Sequence, residues 1–206
     1  MNRIITISRE FGSGGREVGK RLADALGCAY YDSEIEAGLA RQMNLDQGYV
    51  ARAIGNGILT SIPLHFGRTI SSPSLYKQQV DILVEKQKLL KELAAASACV
   101  IVGRAADVIL SGDDPLKLFV YADMDHKVAR CQQYEEAGRL SSPRQLEREI
   151  KRVDARRAQY HRMFSDMRWG DKTGYHLCIN TTGLEIKQLI PHLAGYAKTW
   201  FELRRK

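Results

Sequence analysis

Seven residues near the start of the chain have the chemistry of an anion site: Arg9, Gly12, Ser13, Gly14, Gly15, Arg16 and Glu17. Glycines let a backbone turn tightly and approach a ligand closely. Arg9 and Arg16 can fork onto phosphate oxygens. A helix opening near Gly15 would aim its unpaired amides and the positive end of its dipole at the same place. A second basic group lies far along the chain. Arg148, Arg152 and Arg156 are spaced by four and share one helix face. Arginines in place of lysines favour planar, multidentate phosphate contacts. The plain alternative for that helix is a solvated face laced with pairs such as Glu149 with Arg152, and Asp154 with Arg157.

The flanking patterns say what must hold these residues. Ile4–Ile7 is a β-branched run, the signature of a strand buried on both faces. Val18, Leu22, Ala25 and Leu26 then recur at helical spacing. Further strands are expected at Cys28–Tyr31, Cys99–Val102, Lys117–Tyr121 and Leu177–Asn180. Between them, helices are expected around Ile35–Ala40, over Leu75–Ala96, over Ala105–Leu110, from Asp123, and from Leu184 to about Leu203. No hairpin turn signal joins two strands. The alternation predicts an α/β fold, a parallel sheet with helices on both faces. Ligands of such sheets sit beyond the carboxyl ends of the strands, where the glycine loop, Asp32–Ser33, Arg104 and Asp123 fall. Gln47–Ser74 is weakly periodic and rich in glycine and proline, which suits a segment covering a substrate. Arg139–Pro143 has the composition of the tip of a helical hairpin. An arginine-bearing hairpin closing over a nucleotide would neutralise charge on a phosphoryl group in transfer.

The chain has 206 residues, 44% hydrophobic and 27% charged, enough for one domain or one domain with an inserted lid. Its apolar runs fall far short of a membrane span and no signal peptide precedes the first strand, so no membrane partner and a cytoplasmic location are expected. Cys28, Cys99, Cys131 and Cys178 lack zinc-ligand spacing and are expected as reduced thiols. The formal charge of +7 suits phosphorylated substrates and nucleic acid equally. No nucleic-acid motif accompanies the arginine face, so nucleic acid is not the expected partner.

The glycine loop departs from the phosphate-loop pattern G-x-x-x-x-G-K-[ST]. With Gly14 as the second glycine, Arg9 takes the first position and Gly15 stands where the lysine would be. Arg16 is then the nearest replacement cation. Ser8-Arg9-Glu10-Phe11-Gly12-Ser13-Gly14-Gly15-Arg16-Glu17, Val102-Gly103-Arg104, the arginine hairpin, Trp169-Gly170-Asp171 and Ile179-Asn180-Thr181-Thr182 occur in an order that resembles the cytidylate kinase-like family, a branch of the P-loop nucleoside monophosphate kinases.

The resemblance implies a single P-loop kinase-like three-layer domain over residues 1–206, with a monophosphate-binding region over 33–74 and a helical lid over 124–172. It implies transfer of the γ-phosphoryl of ATP, with Mg2+, to a nucleoside monophosphate such as CMP or dCMP. ATP phosphates would be bound by Arg9, Gly12, Ser13, Gly14, Gly15, Arg16 and Glu17. Ser33 and Arg104 match acceptor-phosphate residues of the family, Asp32 adjoins them, and Arg41 lies one helical turn past the family's next arginine. Arg16, Arg148, Arg152 and Arg156 would act in transfer, with Arg156 matching a lid arginine. Magnesium would be met by Ser13 and Glu17, directly or through water. Some positions differ: Ala105 replaces a base-reading aspartate, and Arg157 and Tyr160 fall where an aspartate and an arginine are expected. The alternative is a nucleotide-binding regulatory protein whose altered loop supports little transfer. Self-association is a further possibility.

Overall fold

The computed structural model describes residues 3–32, 34–46, 48–50, 73–134 and 142–204. Five strands form one sheet: β1 (Ile4–Arg9), β2 (Ala29–Tyr31), β3 (Cys99–Val102), β4 (Leu116–Tyr121) and β5 (Leu177–Asn180). Their order is β2-β3-β1-β4-β5, and every pairing is parallel. The helices are α1 (Gly15–Leu26), α2 (Glu34–Gln42), α3 (Pro73–Ala96), α4 (Ala106–Ile109), α5 (Met124–Tyr134), α6 (Pro143–Arg162) and α7 (Ile186–Leu203), with short 3-10 turns at Ser111–Asp113 and Lys172–Gly174.

Strand periodicity divides the core into two layers. Ile5 and Ile7 of β1, Val100 and Val102 of β3, and Leu118 and Val120 of β4 face α1 and α7. Ile4, Cys99 and Ile101 face the opposite way, against Leu90 and Ala94 of α3 and Ala106 of α4. Both faces of the sheet are therefore covered, as the continuous apolar runs predict. A third cluster joins Leu39 and Ala40 of α2 to Ile82 of α3, with Tyr160 of α6 packed against it.

The element boundaries moved where pairing or capping outweighed residue type. β1 continues through the polar Ser8 and Arg9 because they pair with Phe119 and Val120. The last helix starts at Ile186, since Thr181–Leu184 first makes a turn closed by Leu184 N–H to Thr181 O. Ser142 caps α6 with Gln145 in a reciprocal capping box, and Pro143 takes the first turn. Ser33 and residues 51–72, which hold most of the expected monophosphate-binding region, lie outside the described residues, as does 135–141 of the hairpin tip. All four cysteines are free thiols. No helix among the described residues is long and apolar enough to cross a membrane.

Gly19 shows how closely α1 seats on the sheet. A Cβ there would lie 2.6 Å from Val102 Cγ2 and 3.3 Å from Tyr30 Cε2. Val102 is buried and β-branched, so it has little room to yield. Gly195 of α7 has nothing within 4 Å of the same point. The two sites predict opposite responses in thermal unfolding. Gly19→Ala should lose about 1–2 kcal/mol, because overpacking exceeds the helix-propensity gain. Gly195→Ala should gain up to about 1 kcal/mol.

Candidate phosphate-transfer site

Three strand ends deliver the site. β1 ends in Arg9, β2 is followed by Asp32, and β3 is followed by Gly103 and Arg104. Asp32 is buried, and its carboxylate lies 2.5 Å from Arg16 Nε, 3.6 Å from Arg9 Nη2 and 3.8 Å from Arg104 Nη2. It is the counter-charge that gathers three arginines from β1, α1 and the β3 turn.

Arg9 owes its path to two glycines. A Cβ on Gly15 would lie 2.5 Å from Arg9 Cβ, and a Cβ on Gly103 would lie 1.8 Å from Arg9 Nη1. Any lysine at position 15 would collide with Arg9. The Arg9 side chain, from the strand end, occupies that space. Arg9 is almost wholly buried, and its Nε has no hydrogen-bond partner among the described residues. Burial, with the nearby Arg157, lowers its guanidinium to about 9. A guanidinium keeps its proton at neutral pH even so. The imbalance is therefore carried as repulsion among like charges, which an arriving anion would relieve.

The loop from Glu10 to Gly14 is fastened from several sides. Ser13 is fully buried, and its hydroxyl is 2.8 Å from Glu10 O and 3.2 Å from Val120 O. Thr181 Oγ1 donates to Ser13 O at 2.8 Å. Lys127 of α5 bonds the Glu10 carboxylate at 2.8 Å. Gly12 and Gly14 take φ of 79° and 78°, which only glycine adopts without strain. The first helical acceptor of α1 is Gly14 O, bonded by Val18 N–H, so the amides of Gly15, Arg16 and Glu17 open at the helix end.

These contacts do not fit the expected magnesium ligands. The Ser13 hydroxyl is turned inward to close the loop. Glu17 binds Arg21 at 2.7 Å and Arg130 at 2.5 Å. Partial burial pushes Glu17 up, but hydrogen bonds from Arg130 and Arg21 outweigh it and hold the carboxyl below its usual range. Among the described residues there is no group of three acidic, His or Cys side chains placed to hold a metal.

On α6, expected to belong to a lid, the arginine on the inward face is Arg157 rather than Arg148 or Arg152. Leu146, Ile150 and His161 are buried and fix the inward face of α6. Asp154 and Arg157 fall on that face. Asp154 Oδ1 accepts from Phe11 N–H at 2.7 Å, and Arg157 donates to Arg9 O at 3.0 Å. Burial pushes Asp154 up to about 6, against the pull of the Phe11 amide and Arg157. Burial likewise lowers Arg157 to about 10, with Arg16 and Arg104 adding repulsion. Arg148 is exposed, and Arg152 is exposed and bonded to Glu149 at 2.6 Å. Arg156 sits between the two faces, 3.8 Å from Glu149. The spacing-by-four argument identified a real face, but it is the outer one. The simple pairs of Glu149 with Arg152 and Asp154 with Arg157 both form.

At the end of β3, Gly103, Arg104 and Ala105 all have positive φ, at 74°, 64° and 55°. For Arg104 and Ala105 this costs on the order of 1–3 kcal/mol each, a strain that collects at functional sites. It turns the Arg104 side chain toward Asp32. Asp107 does not join the cluster. It is buried between Ser8 Oγ at 3.4 Å and His161 Nε2 at 2.9 Å. Arg41 is exposed and bonds Ala37 O of its own helix at 3.3 Å, outside the cluster. Trp169 packs edge-on against Phe119 at 5.3 Å, anchoring the exit of the lid. Sequence reasoning passed over Glu10, Lys127 and Arg130. Their only signal was the three-residue spacing of Lys127 and Arg130 on α5, which needs the fold before it points at the loop.

Comparison with known proteins bears on the fold. Among solved structures, an uncharacterized protein from Eubacterium ventriosum ATCC 27560 is similar at 24% identity and TM-score 0.69, covering 96% of this chain and 99% of that one. A shikimate kinase from Bacteroides thetaiotaomicron is similar at 14% identity and TM-score 0.56, covering 95% and 98%. A gluconokinase from Sinorhizobium meliloti 1021 follows at 12% identity and TM-score 0.53, covering 99% and 98%. No curated protein matches the sequence. The sequence model of the cytidylate kinase-like family matches residues 4–183. With a P-loop kinase fold and a phosphate-type site at its strand ends, the chain belongs to the cytidylate kinase-like family.

Proposed function

We propose that the protein transfers the γ-phosphoryl of ATP to a nucleoside monophosphate, with CMP or dCMP the first acceptors to test. The observation that carries this reading is the convergence of Arg9, Arg16 and Arg104 on Asp32, with Arg157 bonded to the Arg9 carbonyl. Phosphoryl transfer asks a protein mainly for alignment and positive charge. In this reading the amides of Gly14–Glu17, with Arg9 and Arg16, receive the donor phosphates. Arg104 holds the acceptor phosphate, and Arg157 faces the transferred group from the lid. Magnesium would accompany ATP, with its ligands not drawn from Ser13.

A second reading rests on the same loop. The missing lysine and the inward Ser13 hydroxyl would also suit a nucleotide-binding regulator that transfers little. ADP release from Mg2+–ATP separates the two. The acceptor panel should hold CMP, dCMP, UMP, AMP and GMP. It should also hold shikimate and gluconate, because kinases for hydroxyl acceptors share the fold. Acceptor-dependent turnover, cut about 100-fold or more in Arg16→Ala, is expected. Thermal stabilisation by ATP without turnover on any acceptor would favour the regulator. Neither effect would sink the phosphate-site reading.

The lid makes a sharper prediction. Arg157→Ala should lower kcat about 100-fold, whereas Arg148→Ala and Arg152→Ala should stay within about threefold of wild type. Steady-state kinetics on proteins matched for melting temperature would check this. Equal losses in all three variants would return the role to the outer face.

A further inference from the structure

Lys86 of α3 is completely buried. Its ammonium donates to the backbone carbonyl of Arg104 at 3.1 Å and to the Tyr160 hydroxyl of α6. It also lies 4.3 Å from the centre of the Tyr160 ring. The carbonyl it holds belongs to the middle residue of the left-handed run Gly103–Ala105. A second buried link joins the same two elements, from Asp107 just past that run to His161 next to Tyr160. The carboxyl-terminal turn of α6 and the Arg104 turn are therefore tied together twice, through the buried Lys86 and through the buried Asp107–His161 pair. The two turns just before Tyr160 on the same helix carry Asp154 and Arg157, which hold the glycine loop.

We propose that Lys86 is a positioning residue for the acceptor phosphate: it locks the strained Arg104 turn to the lid helix, so that Arg104 is presented to the acceptor only while α6 is docked. The proposal rests on the phosphotransferase reading for its kinetic consequence, but not for its conformational one. An ammonium is suited to the task. It donates to a carbonyl and a hydroxyl at once, in directions that a neutral side chain of similar length does not provide. Without it, the Arg104 carbonyl would lose this bond to α3 and the turn would be freer to relax toward ordinary φ.

The test uses Lys86→Met, Lys86→Arg and Tyr160→Phe in the full chain, with CMP as the acceptor probe, or whichever panel acceptor the wild type turns over. Lys86→Met should raise the acceptor KM about tenfold or more while the ATP KM moves less than about twofold, and Lys86→Arg should recover part of the loss. A general loss of structure would not give that split. The second readout needs no activity. Arg104 is only 17% exposed in its side chain, so trypsin should cut slowly after it. Lys86→Met should speed that cut about fivefold or more, followed by mass spectrometry, because cleavage tracks the opened population. If Lys86→Met does not fold, Tyr160→Phe carries both readouts, since it keeps the ring and removes the hydroxyl. Equal shifts in both KM values, or an unchanged rate of cutting after Arg104 in a folded variant, overturn the proposal. If no acceptor is turned over by the wild type, the phosphotransferase reading fails, and the cutting rate alone decides the role of Lys86.

Discussion

The side chain of Arg9 runs through space that two glycines leave open, and the site is arranged around that passage. Its stem lies against Gly15 at the start of α1, and its head lies against Gly103 at the end of β3. A Cβ at either position would displace it. The path of Arg9 at the first loop position therefore requires glycine at position 15, and the strand end that carries it is fixed by pairing with Val120. The result is a planar, five-donor group held by the sheet itself, with less freedom to lose when an anion arrives.

The lid follows from packing before charge. Leu146 and Ile150 need the interior, and His161 needs Asp107, so the rotation of α6 is set by three residues that touch no phosphate. Once that rotation is fixed, Asp154 and Arg157 must face the loop and Arg148 and Arg152 must face water. Charge then acts within the fixed geometry. Asp154 pairs with Arg157 and takes the Phe11 amide, which offsets part of the cost of burying a cation beside Arg9, Arg16 and Arg104.

Much of the frame was legible in the sequence. Strand–helix alternation, buried apolar runs and the glycine turn are local signals, and β3, β5, α1 and α3 came out close to their observed bounds. That Arg9, Arg16, Arg104 and Asp32 come together was legible because parallel sheets gather strand ends. What failed was anything decided by contact across the fold. The face of α6 was misjudged because seven lysines and arginines hid a thin buried stripe. Ser13 looked like a metal ligand because its exposure was unknown. Lys86 carried no signal at all, since one lysine in a long charged helix is ordinary until it is found fully buried beneath Tyr160.

Asp32 completes the electrostatic argument. Arg9, Arg16, Arg104 and Arg157 would repel one another strongly in a partly buried site without a counter-ion. The Asp32 carboxylate holds three of them near the geometry an anion would need, at 2.5 to 3.8 Å. A phosphate entering this cluster would not have to collect arginines from solvent, because their ordering is already built into the fold. It would have to share them with Asp32, and Arg16 is the one placed to change sides. Its side chain is 66% exposed, against 10% for Arg9 and 17% for Arg104. The fixed pair sets where the charge is needed, and the exposed third can swing from Asp32 to a bound phosphate with little else in the structure moving.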